Sequence, residues 1–129
     1  MTDPVWIETQ DALLLHARLL TLHGGAEGLR DEGLLQSALA RPQQIYAYGE
    51  EPNIIDMATA YTSGIVRNHP FIDGNKRTGF VVGILFLELN GYRFTATEES
   101  AAQAVLELAA GTLEEAGYAA FLRANTKGE

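Results

Sequence analysis

Within the nine positions from His69 to Arg77 the chain sets a histidine, an aspartate, a glycine, an asparagine and two cations. His69 is a candidate general base near neutral pH, where an unperturbed imidazole changes charge. Asp73 offers the carboxylate oxygens that Mg²⁺ takes together with phosphate oxygens. Gly74 removes a side chain that would block an approaching anion. Asn75 adds an amide, and Lys76 and Arg77 follow it. The apolar run beyond makes these cations the first turn of a helix, where the dipole favours acids instead. An anion held between them and the free N–H groups of that turn removes the conflict. Base, carboxylate, glycine, amide and paired cations describe a site for a Mg²⁺-bound polyphosphate facing a hydroxyl to be deprotonated. A plainer reading is a polar loop with Asp73 capping a core helix. It accounts for the aspartate but not for so many site-competent residue types in so short a span.

The elements that must position these residues are legible on both sides. From Asn75 to Leu89 no stop signal appears before Asn90-Gly91, so the segment is too long for a strand. Its apolar character on every side predicts a central helix buried all round. Gly79 and Gly83, four apart, open one face to a neighbouring helix. Upstream, Pro52 starts a helix to about Asn68, with Ile54, Ile55, Ala58, Tyr61, Thr62 and Ile65 inward. That helix delivers His69, which Pro70 biases toward an extended conformation. Phe71 is expected to anchor the loop in the core.

Further out, Val5-Trp6-Ile7 reads as a short strand. Thr9 caps a helix to about His23, with leucine stripes on it and Gly24-Gly25 at its end. His16 and His23 are expected to be surface or partly buried side chains. Asp31 opens a short helix with Leu34, Leu35, Ala38 and Leu39 inward, which Pro42 stops. Gln43 to Glu51, with Tyr46 and Tyr48, reads as an exposed loop or hairpin. Tyr92 to Thr95 is a brief extended segment. Thr97 caps a helix to Gly111 with Glu98 and Glu99 in its first turn. Thr112 and Glu115 predict a capping box for a last helix packed through Ala116, Ala119, Ala120 and Leu122. The tail from Asn125 is expected to fray.

A length of 129 residues with 47% apolar and 20% charged content fits one domain, residues 1–129, with its own core. The absence of cysteine excludes disulfides and thiolate metal sites and suits the cytoplasm. Met1-Thr2-Asp3-Pro4 lacks the basic start and apolar run of a secretory leader. The longest apolar run is too short to span a bilayer. A net charge of -8 makes nucleic acid and anionic membranes poor partners and suits a basic protein surface.

The stretch His69-Pro70-Phe71-Ile72-Asp73-Gly74-Asn75-Lys76-Arg77-Thr78 resembles the motif of the Fic/Doc proteins, His-x-Phe-x-Asp/Glu-Gly-Asn-Gly/Lys-Arg. It is most similar to the Doc branch, the toxins of Phd–Doc toxin–antitoxin systems. Gly28-Leu29-Arg30-Asp31-Glu32-Gly33 through Pro42 is also Doc-like, so the resemblance covers about residues 6–124. It implies an all-α fold: about six helices around a buried central helix, with at most a small β-hairpin flap in the Gln43–Glu51 region.

The resemblance also implies a reaction. AMP-transferring Fic enzymes continue their motif Gly-Asn-Gly-Arg-x-x-Arg. Here Lys76 replaces the second glycine and Phe80 the last arginine, as in Doc. Doc-type proteins pass the γ-phosphoryl group of ATP to a Thr or Ser of a protein; for Doc the target is the translation factor EF-Tu, so translation stops. By resemblance, His69 takes the hydroxyl proton and Asp73 holds Mg²⁺. Gly74 and Asn75 donate to phosphate, and Lys76 and Arg77 neutralise the charge that develops. The inhibitory pattern Ser/Thr-x-x-x-Glu-Gly/Asn fails at Glu27-Gly28, because His23 stands four residues before Glu27. Restraint is then expected from a Phd-like antitoxin whose C-terminal segment folds onto the domain. The alternatives are a protein AMP (nucleotidyl) transferase and a non-catalytic interaction module.

Overall fold

The computed structural model describes residues 3–128. Met1 and Thr2, part of the stretch weighed for a leader, and Glu129 lie outside the described residues. The fold is all-α, as expected: α1 (Thr9–His23), α2 (Glu32–Tyr48), α3 (Ile54–Asn68), α4 (Asn75–Leu89), α5 (Glu98–Ala110) and α6 (Glu115–Ala124). A two-stranded antiparallel sheet, β1 (Tyr92–Phe94) with β2 (Thr126–Gly128), accompanies them. No helix of the described residues is long and apolar enough to cross a membrane.

The most enclosed helix is α3, in which every residue from Met57 to Val66 is buried. This corrects the expectation that α4 is buried all round. On α4, Phe80, Val81, Ile84 and Leu85 are only half-buried, while Thr78, Gly79, Val82, Gly83 and Phe86 are covered. Polar residues made α3 look two-faced, but each finds a partner inside. Thr59 Oγ1 donates to the Ile55 carbonyl (2.9 Å) and Thr62 Oγ1 to the Gly79 carbonyl (2.8 Å). Ser63 Oγ donates to Glu115 (2.6 Å). Satisfied in this way, hydroxyls are buried at little cost. The two glycines of α4 do what their spacing implied. A Cβ on Gly79 would stand 3.1 Å from the Thr62 carbonyl oxygen, and one on Gly83 would run into Thr62 Oγ1. The absence of side chains there lets α4 press against the backbone of α3.

α2 runs straight through Pro42, which sequence reasoning took for a stop. Leu35, Ala38, Leu39 and Pro42 are all buried, and their spacing is one continuous helical stripe. Burial of the ring on that stripe outweighs the single backbone bond it removes. Residues 43–48 are therefore helical, and no flap forms there; the small sheet is built elsewhere. Tyr46 packs edge-on against Trp6 (5.7 Å), whereas Tyr48 is exposed.

Thr97 and Gly111 bound α5 as read, with Thr97 Oγ1 accepting from the Ser100 N–H (3.2 Å). The start of α6 differs. Its N-cap is Glu114, and Glu115 makes no capping box, because the Arg41 guanidinium takes its carboxylate. The second arm of that fork, Arg41 Nη2 to Glu115 Oε2, is 2.6 Å long. Its inner face is Tyr118, Ala119 and Leu122, with Ala116 and Ala120 exposed, so the expected alanine stripe is displaced. Arg41, Ser63 and Glu115 tie α2, α3 and α6 together. Arg41's hydrogen bonds hold the Glu115 carboxyl below the usual carboxylate range, against a smaller opposing effect of burial. A depressed folded-state pKa contributes stability above the unfolded value of about 4.3 and loses it as pH falls through the folded value. Glu115→Gln should therefore lower stability at neutral pH by about 1–2 kcal/mol, a modest figure because both side chains keep solvent contact. Urea midpoints of the two proteins should converge in acid.

Val5 and β2 are tied to the far end of α4. Val5 is not in a strand: its N–H donates to Asn90 Oδ1 (2.7 Å), and Asn90 Nδ2 returns a bond to its carbonyl (3.0 Å). Residues 126–128 are not frayed, since β2 pairs with β1 in the register Tyr92↔Gly128 to Phe94↔Thr126.

Candidate active site

α3 hands the chain to α4 through residues 69–74, and the strain sits at the first of these. His69 caps α3 with φ 53° and ψ 52°, the only non-glycine residue among those described with positive φ. The extended conformation that Pro70 favours is overridden. The His69 N–H still closes the last turn of α3 on the Ile65 carbonyl (3.1 Å). Such a residue costs about 1–3 kcal/mol and persists only where its surroundings fix it. Those surroundings include Arg30, whose Nε donates to the His69 carbonyl (2.7 Å) and Nη2 to the Asn68 carbonyl (2.9 Å). The His69 side chain is exposed.

Phe71 is fully buried, as expected of the loop's anchor. Asn75 clips it: Oδ1 accepts from the Phe71 N–H and Nδ2 donates to the Phe71 carbonyl, both at 2.9 Å. The Asn75 amide is thus occupied within the loop, and what it offers an anion is its backbone N–H. His16, buried in α1, stacks on Phe71 with ring centroids 3.8 Å apart and planes 8° from parallel. Its Nε2 bonds the Asp73 carbonyl (2.8 Å), so Nε2 carries the proton. His23, by contrast, is exposed at the end of α1. The segment after α1 supplies the other wall. Ile72 N–H donates to the Gly28 carbonyl (3.0 Å), Arg30 N–H to the Pro70 carbonyl (2.6 Å), and Leu29 bridges Phe71. Sequence reasoning took His16 for a surface or partly buried histidine and Arg30 for part of a loop. Their partners lie 57 and 39 residues away, and only the Doc-like stretch around Arg30 hinted at a role.

At the start of α4, Asp73 is exposed and braced by backbone. Its Oδ2 accepts from the Ala26 N–H (3.2 Å) and its Oδ1 from the Gly74 N–H (2.8 Å). These bonds, in that order, with smaller help from Lys76 and Arg77, hold its carboxyl below the usual range and keep it ionised. Gly25 permits the approach, since a Cβ there would stand 2.9 Å from Asp73 Oδ2. Gly74 is the N-cap of α4 with φ 79°, a conformation that glycine takes without strain. Lys76 and Arg77 are exposed, and neither is in an ion pair among the described residues. One ionised carboxylate, free helical N–H groups and two unpaired cations fit a Mg²⁺ held mostly by phosphate oxygens. Among the described residues no group of three His, Cys, Asp or Glu side chains is placed to hold a metal alone. Beside the cations opens an apolar groove of about 660 Å³ between α1, α4 and α5, walled by Leu19, Phe80, Ile84, Phe94 and Val105.

A helical bundle that joins a cation-bearing helix start to a histidine by a clipped loop defines the class. The chain belongs to the Fic/DOC family, whose family model matches residues 6–87, and within it to the Doc branch. It is 42% identical over 74 residues to the protein named Toxin Doc of Mycolicibacterium smegmatis (strain ATCC 700084 / mc(2)155). That match covers 57% of each chain, so this chain spans little more than half of that relative. It is also 30% identical over 95 residues to the protein named Protein kinase doc of Escherichia phage P1, covering 74% of this chain and 75% of the phage protein.

Proposed function

We propose that this protein is a Doc-like toxin that transfers the γ-phosphoryl group of ATP to a Thr or Ser hydroxyl of a protein. Translation elongation factor EF-Tu is the proposed target and translation arrest the outcome. The observation that carries the reading is the start of α4. Among the described residues Lys76 and Arg77 have no ion-pair partner there, beside an Asp73 held ionised and a Gly74 with no side chain. The phage relative's name, a protein kinase, supports the transfer. Phe80 supports it over AMP transfer: where adenylylating relatives carry an arginine, it packs edge-on against Phe94 at 5.7 Å and puts no cation at that position.

In the proposed reaction His69 accepts the proton of the target hydroxyl. The hydroxyl oxygen bonds the γ-phosphorus as the bond from that phosphorus to the bridging oxygen breaks, and ADP leaves. Lys76, Arg77 and the free N–H groups of the first turn stabilise the equatorial oxygens. A Mg²⁺ on Asp73, when bound, would neutralise phosphate charge. Positioning and charge compensation dominate phosphoryl transfer, so a set this small suffices. The apolar groove beside the cations suits the C-terminal segment of a Phd-like antitoxin, laid as an amphipathic helix.

The test is incubation of the pure protein and Mg²⁺ with lysate and ATP labelled at the γ or the α phosphate. Label on a protein from γ-labelled ATP is expected. Label from the α position alone would overturn phosphoryl transfer in favour of AMP transfer.

A further inference from the structure

Three successive carbonyls at the end of α3 receive hydrogen bonds from one residue. Arg30 Nη2 donates to Asn68 (2.9 Å), Arg30 Nε to His69 (2.7 Å), and the Arg30 backbone N–H to Pro70 (2.6 Å). Carbonyls at a helix C-terminus lack intrahelical partners and carry the negative end of the dipole, so a guanidinium is doubly suited to them. Its planar fork presents donors to two of them in a fixed geometry that an ammonium, a compact point charge, does not impose.

We propose that Arg30 is a positioning residue that aims His69. The inference rests on reading His69 as the base of the transfer. No hydrogen bond among the described residues holds the His69 ring, so its direction is inherited from its backbone. That backbone sits at φ 53° immediately before a proline, a neighbour that favours φ of about −120°. Released from Arg30, His69 relaxes toward the extended region, and its Cα–Cβ bond swings away from the start of α4. The bonds that hold the neighbouring segments do not use the Arg30 side chain. Asn68 Nδ2 remains bound to the Leu34 carbonyl (2.9 Å), and Asp31 still caps α2 through the Leu34 N–H (3.0 Å). Every bond of the Arg30 side chain goes to backbone on the α3 side of the loop, so it aims the base without gripping the nucleotide.

The experiment compares wild type with Arg30→Ala and Arg30→Lys. Arg30→Gln, which keeps one donor, stands in should the alanine variant not fold. The backbone conformation of His69 is read by NMR, from its ¹³Cα shift and its amide–Hα coupling. ATP with Mg²⁺ is titrated by calorimetry, and transfer from γ-labelled ATP to lysate protein is followed at varied ATP. In Arg30→Ala the His69 signals should leave their left-handed values. The turnover rate should fall about 100-fold, with the KM and affinity for ATP unchanged. Methylguanidinium at low millimolar concentration should restore part of the rate in Arg30→Ala, and Arg30→Lys should not match wild type. Unmoved His69 signals in a folded variant would overturn the proposal, as would a loss that appears as weakened ATP binding. Should wild type transfer no label, the functional reading fails, while the NMR comparison still decides whether Arg30 sets His69.

Discussion

Exchange of His69 for alanine is expected to cut label transfer from ATP by about 10²–10⁴-fold and to relieve growth arrest on expression. Affinity for ATP with Mg²⁺ should persist, because Asp73, Lys76, Arg77 and the free N–H groups of α4 are untouched. His69 is exposed, so little packing is lost. Its left-handed backbone is a separate matter, since alanine tolerates φ 53° less well than histidine or asparagine does. His69→Asn is therefore the cleaner partner: it keeps a side chain suited to that backbone and removes the base. Induced growth curves and labelled lysate, with calorimetry on the same samples, check the result. Growth arrest undiminished in both variants would mean that the protein acts by binding, as an interaction module.

The second large effect belongs to Asn75, and it concerns the fold as much as the chemistry. Asn75→Ala should cost about 3 kcal/mol, because it strands a backbone N–H and a carbonyl of Phe71, a residue with no solvent contact. Asn75→Asp keeps the acceptor and loses the donor, and should fall between alanine and wild type. Urea unfolding measures both. Transfer activity should fall in step, since the loop that Asn75 closes runs from His69 to Gly74. An alanine variant as stable as wild type would mean that Phe71 is held by packing with His16 alone.

These two residues mark how far the sequence could be read. Both stood out from residue type and spacing. The limits of α4, Asn75 and Leu89, followed from an apolar run bounded by Asn90-Gly91, and those of α5 from Thr97 and Gly111. Such signals are local, and a window of a few residues contains them. What eluded sequence reasoning was decided by distant partners. Asn75 looked like a phosphate donor, and only the fold turns its amide onto Phe71. Pro42 carries the signal of a stop, yet the stripe from Leu35 continues through it. Glu115 had the spacing of a cap, but Arg41 reaches it from 74 residues away. His69 departs from its pre-proline bias where Arg30, 39 residues away, binds its carbonyl. Enclosure of α3 rather than α4 depended in part on Ser63, whose partner Glu115 lies 52 residues away where no periodicity reveals it.

The clamp of Val5 on Asn90 and the pairing of Gly128 with Tyr92 have a practical corollary for handling the protein. Both attachment points sit just past the last turn of α4, whose fifteen residues measure about 22 Å from the motif end. A dye, bead or surface tether joined near either one would leave the motif end unobstructed. Tension applied across the pair would load these anchors first, so the earliest rupture in a force trap should leave the loop of residues 69–74 folded.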